Sequence, residues 1–569
     1  MNYPLHRKLL KKSFWIRKLA RALNARFRYA DWRPCLQRGG TPWQKADRHA
    51  GSSKVLVATC VGSQIGSTIL ESMLAVALSL RGTRVEFLLC DAMLPACMGC
   101  EIGFLGKLTQ GNGQPLTRSF CSTCFRPAYR CYEPLGLPIR RFSELLNEHE
   151  IAMCQEMAQK VPVQELGFFH HQGLDLGEQA RAGALRFFAR GDFGQEEYAE
   201  KVFRQYLEAS IIAAEALGRL LDENRYDCAV FNHGLYVPQG ILGALCRKKG
   251  IRVVNWNPAY RKRCFIFSHH DTYHRTMISE PVSSWENMVW SETKEKRLLD
   301  YLESRWQGTQ DWIWFHEKPL LRVEDALRRL GVDLSKPCIG LLTSVMWDAA
   351  LHYDSNAFPD MLSWMFASID YFAKRRDLQL IIRIHPAEIQ GGLPSRQRVA
   401  DEIRKRYSAI PENVFLIGPD SPLSTYAVMQ KCNAVIIYNT KTGIELAAIG
   451  IPVIVAGEAW IRNKGIAYDV STPMEYIQAL NRLPRPNPMS SGEILRARKY
   501  AYHFFFRRMI PLELMEPTGG NPPYRMRIDT LEALAPGASP GLDLICDGIL
   551  FGKEFIFDPR ESPPDRSVE

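Results

Sequence analysis

The chain has 569 residues, 46% of them hydrophobic and 23% charged, which is ordinary globular composition with enough apolar material for two cores and excludes a disordered chain. The formal charge of +11 gathers in the first 48 residues, so it describes a basic tail and not a nucleic-acid-binding surface. No apolar run reaches the length of a membrane span, and fifteen cysteines in a chain of this size suit a reducing compartment.

Residues 6–28 place Leu9, Ile16, Leu19, Ala20, Leu23 and Phe27 on one helical face, with Arg7, Lys11, Arg17, Lys18, Arg21 and Arg28 largely on the other. A basic amphipathic helix of this kind lies on an anionic membrane surface or packs its apolar stripe on its own domain. The sequence therefore predicts a cytoplasmic protein, peripheral on the inner face of the plasma membrane if that helix docks, with no nucleic-acid partner. Residues 54–59 (KVLVAT) open a first sheet, and the loop CVGSQIG (60–66) leads into a helix over 67–80. The loop is not a GxGxxG fingerprint, so it does not indicate a dinucleotide. A second strand, 84–90, leaves Asp91 at its carboxyl end.

Two Cys-x2-Cys pairs follow, Cys97 with Cys100 and Cys121 with Cys124, separated by twenty residues poor in apolar side chains. This spacing fits a four-thiolate structural zinc, with an iron–sulfur cluster or free thiols as the alternatives. Residues 140–225 read as helical, and strands at 227–231 and 252–256 then restore βαβ alternation, with His233 just beyond the first of them. The cluster Ser268-His269-His270-Asp271 with Tyr273-His274 lacks the carboxylate pattern of a metal centre.

Residues 285–335 carry Trp, Lys and Glu at helical spacing. A second sheet begins at 338–343 (CIGLLT), and its first loop presents Ser344. The strand QLIIRI (379–384) runs into His385-Pro386-Ala387-Glu388, where ligands sit in open parallel sheets. AVIIYNTKTGIELAAIGIPVIVAG (434–457) then reads as strand, polar turn, helix and strand. Its turn aims the backbone N–H groups and hydroxyls of Thr440, Thr442 and Gly443 above the sheet, where a helix N-terminus favours phosphate, and Glu445 follows one turn later, within reach of a ribose or sugar hydroxyl.

The Arg-Ile-His-Pro turn, the Tyr-Asn-Thr-x-x-Gly-x-Glu turn and the Gly-Ile-Pro-Val-Ile strand resemble, in order and spacing, the carboxyl-terminal half of bacterial capsule polysaccharide biosynthesis proteins. Those are similar to Kdo transferases of the two-domain GT-B fold. The resemblance implies an α/β chain of two Rossmann-like domains facing a cleft. Residues 1–50 would form the basic segment, 51–290 an acceptor domain with a cysteine-rich insertion at 90–131, 291–335 interdomain helices, 336–485 a nucleotide-sugar domain, and 486–569 carboxyl-terminal helices with a disordered tail. It implies glycosyl transfer from a nucleotide-sugar donor to a surface or capsular polysaccharide. His385, Pro386, Thr440, Thr442, Gly443 and Glu445 are donor contacts by that resemblance, to which Ser344, Arg383 and Lys441 are added as phosphate and charge partners. Gly62, Ser63 and Gly66 would meet the acceptor, and Asp91 or His233 would supply the base. The lack of an Asp-x-Asp predicts metal-independent donor binding. A CDP-glycerol-type polyol-phosphate transferase, a nucleotide-sugar 2-epimerase and a non-catalytic export scaffold are the competing readings.

Overall fold

The computed structural model describes residues 29–38, 43, 53–103, 118–194, 196–307, 310–312, 319–520 and 522–559. The basic helix expected over 6–28 and the tail beyond 560 lie outside them. Two sheets organise the chain. The first holds β1 (Lys54–Cys60), β2 (Arg84–Leu89), β3 (Ile139–Arg141), β4 (Cys228–Asn232), β5 (Arg252–Pro258) and β6 (Cys264–His269). The second holds β7 (Cys338–Leu342), β8 (Gln379–Arg383), β9 (Val414–Ile417), β10 (Ala434–Ile437), β11 (Val453–Val455) and β12 (Tyr468–Asp469). A late strand, β13 (Ile510–Pro511), joins the edge of the first sheet beside β6.

The first sheet runs β13-β6-β5-β4-β1-β2-β3 and the second β9-β8-β7-β10-β11-β12. Both therefore contain the doubly wound order 3-2-1-4-5-6. In such a sheet the connections leave in opposite directions from the pair of strands at the centre, and the crevice they open at the carboxyl edge receives ligands. Those pairs are β1 with β4 and β7 with β10, both parallel, the second in register from Ile339 opposite Ala434 to Leu342 opposite Ile437. Runs such as AVII on β10 are buried on every residue, as parallel strands covered on both faces require.

Helices cover all four faces. One face of the first sheet packs on α1 (Ile65–Ser79) and α2 (Arg118–Tyr132), the other on α3 (Ala199–Glu223). The second sheet lies between α5 (Met361–Phe372) on one side and α4 (Glu292–Gln307), α6 (Thr442–Ala448) and α7 (Ser491–Tyr502) on the other. Residues 291–307 are thus built onto the second core through Leu298, Tyr301 and Leu302. The chain after α7 does not trail away. It returns through His503–Arg507 to β13 on the first sheet, and α8 (Pro540–Phe551) packs Leu542, Ile545 and Ile549 into the first domain. Among the described residues no helix is long and apolar enough to cross a membrane.

The cysteine-rich segment departs from the zinc expectation. Cys121 and Cys124 lie on α2, which the apolar contacts of Cys124, Ala128, Cys131 and Tyr132 hold against the first domain. Cys97 pairs with Cys100, while the Cys124 sulfur accepts the Ser63 N–H at 3.2 Å. Among the described residues no three His, Cys, Asp or Glu side chains gather as ligands of one metal. Apolar packing holds α2 from Cys124 to Tyr132.

Candidate active site

The carboxyl edges of the two sheets enclose a cavity of about 470 Å³. From the first domain it receives His233, Leu235, Tyr273 and His274. From the second come Ser344 and Asp348 after β7, His385 and Pro386 after β8, Asn439 to Thr442 after β10, and Glu458 and Trp460 after β11. Tyr260, Arg305 and Trp306 close one side.

His385 is held in a single useful tautomer. The Ala387 N–H donates to its Nδ1 at 3.0 Å, and the Thr343 hydroxyl accepts its backbone N–H at 3.0 Å. The proton therefore resides on Nε2. Burial, helped by Lys441 and Arg383, pushes the ring down to about 4, so it is a neutral hydrogen-bond donor. The short turn of helix at Ala387–Gln390 begins immediately after Pro386, whose fixed φ suits that start. Beside it, the Thr440 hydroxyl accepts the Thr442 N–H at 3.3 Å and lies 3.2 Å from the Thr442 hydroxyl, so two side-chain oxygens and the first turn of α6 face the cleft together. The Ser344 hydroxyl donates to Asn439, bridging the two central strands of the sheet.

Beneath that turn lies a buried ionic floor. The Glu445 carboxylate receives Lys441 at 2.6 Å, Arg305 at 2.9 Å and the Tyr426 hydroxyl. Arg305 also pairs with Asp311, which accepts the Tyr301 hydroxyl at 2.8 Å. Burial pushes the Glu445 carboxyl up, but Arg305 and Lys441 outweigh it and hold it near 2. Glu445 is only 1% exposed and fully committed, so it fixes Lys441 and does not reach a ribose hydroxyl. Gly443 is likewise structural: a Cβ there would stand 2.6 Å from Ile437 Cδ1. Arg383 lines the cavity, but its guanidinium donates to the carbonyl oxygens of Gly418, Ser421 and Leu423 and so also braces the scaffold.

On the first-domain side, β4 ends in a left-handed pair, His233 at φ +67° and Gly234 at φ +77°. A Cβ on Gly234 would lie 2.7 Å from the Asn255 amide, so glycine is required after the histidine. This sparsely populated backbone aims the His233 ring into the cleft with Nδ1 buried and unpartnered. Burial lowers its proton affinity, and Asp348 from the opposite domain opposes that effect. Asp348 is itself held by the Tyr236 hydroxyl at 3.0 Å, while Tyr236 accepts the Ala349 N–H at 2.9 Å. His274 accepts the Trp460 indole N–H at 3.0 Å on Nδ1, and burial takes it down to about 4.

The remaining expected acceptor residues are elsewhere. Gly62 lies beneath α2, where a Cβ would be 2.6 Å from both Ala128 Cβ and the Cys124 carbonyl oxygen. The Gly62 carbonyl is taken by the Tyr29 hydroxyl at 2.8 Å. Gly66 is roofed by Tyr524, and Ser63 by Cys124. Asp91 accepts the Ser143 N–H at 3.1 Å and the Ser143 hydroxyl, and it does not line the cavity. These positions are corrected as acceptor or base candidates because other chain segments cover or engage them. Sequence reasoning missed Asp348, Glu458, His274 and Arg305. The first two follow strands at the carboxyl edge, which is a usable signal; the other two arrive on helices, Tyr273–Ser279 and α4, whose placement no local pattern encodes.

Residues 336–489, which hold every second-sheet turn of the cleft, match the family described as capsule polysaccharide biosynthesis protein. No curated protein sequence matches the chain. Among solved structures, the KpsC beta Kdo 2,4 transferase of Thermosulfurimonas dismutans aligns at 10% identity and a TM-score of 0.34, over 55% of this chain and 87% of that one. UDP-GlcNAc 2-epimerase from Neisseria meningitidis, bound to UDP-GlcNAc, aligns at 10% identity and a TM-score of 0.21, over 79% and 94%. The glycosyltransferase SsfS6 of Streptomyces sp. SF2575 aligns at 10% identity and a TM-score of 0.23, also over 79% of this chain, and over 94% of that one. Likenesses this distant fix neither the substrate nor the activity of the present chain. The family match covers the second domain, 154 of the 569 residues.

Proposed function

We propose that this protein is a GT-B-type glycosyltransferase that moves a sugar from a nucleotide-activated donor, held by the second domain, to a growing surface or capsular polysaccharide presented by the first. The observation that carries this reading is the pairing, in one cleft, of an anion-seeking edge with a proton acceptor on the opposite wall. His385 Nε2–H, the Thr440 and Thr442 hydroxyls and the nearby Lys441 ammonium stabilise the charge that develops on the leaving phosphate. His233, neutral through burial, takes the proton of the attacking hydroxyl, and Asp348 across the cleft stabilises the resulting imidazolium. Ser344 and Asn439 line the space between.

Calorimetry with CMP, UDP, GDP and CDP identifies the nucleotide, and the corresponding nucleotide sugar is then incubated with glycan acceptors. Sugar transfer that falls by about 10²- to 10⁴-fold in His233→Ala, with nucleotide affinity unchanged, is the expected result. Conversion of the nucleotide sugar in the absence of any acceptor would make the protein an epimerase, and transfer from CDP-glycerol a polyol-phosphate transferase. No nucleotide binding at all would leave the scaffold reading. Donor binding that survives EDTA supports metal independence. Contact of the basic residues 1–28 with anionic membrane is part of the same proposal, tested by co-sedimentation with phosphatidylglycerol vesicles at low and high salt.

A further inference from the structure

One cleft residue has no role in the scheme above. Glu458 follows β11 at the carboxyl edge and lines the cavity, yet is 5% exposed. Its Oε1 accepts the Asn439 side-chain amide at 3.1 Å, and Asn439 in turn accepts the Ser344 hydroxyl, so the carboxyl is held in one orientation from the centre of the sheet. Its Oε2 is buried without a hydrogen-bond partner. The cation whose charge acts on it, Arg462, is hydrogen-bonded elsewhere: it donates to the carbonyl oxygens of Gly457 at 3.0 Å, Val455 at 3.2 Å and Val470 at 2.8 Å. The other groups facing Glu458 are the Tyr353 and Tyr438 phenols and the Asn356 amide, none of which carries positive charge.

A buried carboxylate with one oxygen orphaned and no cation committed to it is costly, whereas a carboxylic acid in the same place exposes an O–H donor to the cleft. Resting on the glycosyltransferase reading, we propose that Glu458 is a substrate-contacting residue that, as a neutral acid, donates a hydrogen bond from Oε2 to a hydroxyl of the sugar being transferred. The position suits this role. The phosphate-seeking turn at Thr440 to Thr442 follows Asn439 directly, so a sugar attached to a phosphate bound there lies against the Ser344–Asn439–Glu458 wall. Burial accounts for the acid form, raising the carboxyl to about 7 against the pull of its own backbone N–H, Asn439, Asn356 and Arg462. A charged Glu458 would face the donor's phosphates, so the donor and the proton bind together.

The test is proton uptake on ligand binding. UDP-glucose, UDP-N-acetylglucosamine, GDP-mannose and CMP-N-acetylneuraminate are titrated into the full chain at pH 7.5 in two buffers of different ionisation enthalpy. The one that binds is expected to draw in a substantial fraction of a proton, and its affinity to fall up to about tenfold per pH unit above pH 7, the slope of one linked proton. In Glu458→Gln, which keeps the shape and the neutral charge, the Glu458 share of the uptake and the alkaline loss of affinity should both disappear. His233, His274 and His385 also face the cleft and can take up protons, and their share would persist in that variant. A nucleotide sugar that binds without proton uptake, or with the same uptake in both proteins, overturns the proposal. Absence of uptake in the wild type overturns it whether or not the variant folds. Failure of all four donors to bind would instead overturn the donor-site reading on which it rests.

Discussion

The loops after β1 and after β7 are counterparts: each leaves the first strand of a doubly wound sheet, at the carboxyl edge, beside the strand that begins the second half. Only one of them is open. Residues 61–66 lie under α2, Tyr29 and Tyr524, whereas Thr343, Ser344, Val345, Asp348 and Ala349 line the cleft. The sheet dictates where a ligand site can form, and the later segments decide which of the available edges stays uncovered. In the first domain two coverings arrive from far along the chain, α2 and the return of residues 510–526 from the second domain. In the second domain, among the described residues, no such segment crosses β7 and β10, and the site remains there.

The same distinction between covered and open holds within one turn of the second sheet, and there it predicts the largest effect. Thr440 and Thr442 are open, but Glu445 lies beneath them and neutralises two buried cations. Glu445→Gln should cost about 3–5 kcal/mol, the usual consequence of removing one partner of a buried pair, and chemical denaturation would measure it. The sign with pH follows from the depressed carboxyl. The contribution of Glu445 is complete above its ordinary value of 4.5 and is lost as the pH falls toward 2, so the wild type should approach the variant's stability in acid. A variant as stable as the wild type at pH 7 would mean that the floor does not hold the turn.

His385 gives the next largest effect, in the opposite observable. It is open to the cleft and supported by backbone groups, so His385→Ala should weaken nucleotide binding by about 10- to 100-fold, the worth of a hydrogen bond to a charged group. The melting temperature should change little. Lost stability with wild-type affinity would place His385 among the covered residues.

Much of this was legible in the residues themselves. The fully apolar strands, the His-Pro turn and the Thr-rich turn read correctly because a buried parallel strand and a helix start are local events. Ser344, His385, Pro386, Thr440, Lys441, Thr442 and His233 all line the cleft as the strand-end argument expects. What was illegible is long-range. The string around Gly62 looks like a ligand loop, and only the packing of residues 124 and 128 on it shows otherwise. Glu445 looks like a ribose contact until Arg305, 140 residues away in sequence, occupies it. The cysteine spacing satisfies a metal rule, yet a helix lays one of those thiols, Cys124, into an apolar contact.

Gly62→Val sharpens the comparison from the covered side. Its branched side chain would meet Ala128 and the Cys124 carbonyl at distances that no rotamer relieves, since one neighbour is backbone. Overpacking of this kind costs about 1–3 kcal/mol, measured as a lower unfolding midpoint. Nucleotide affinity of the folded fraction should be unchanged. Selective loss of acceptor binding at full stability would restore the loop as an acceptor site.

The smallest effect is expected at Asp91, where the comparison is easiest to break. The residue has the right chemistry for a base and the right place, immediately beyond β2 at the carboxyl edge, but its carboxylate already accepts two hydrogen bonds from Ser143. Those bonds fix the start of the turn Phe142–Glu144, next to the short edge strand β3. Asp91→Asn keeps one accepting oxygen, so stability should fall by about 1 kcal/mol or less, the net worth of one hydrogen bond. Turnover should remain within about twofold of wild type, since no general-base contribution of about 10²-fold or more is removed. A folded Asp91→Asn protein that has lost turnover while His233→Ala keeps it would reverse the assignment of the base. It would also show that engagement by a neighbouring segment does not remove a strand-end carboxylate from catalysis.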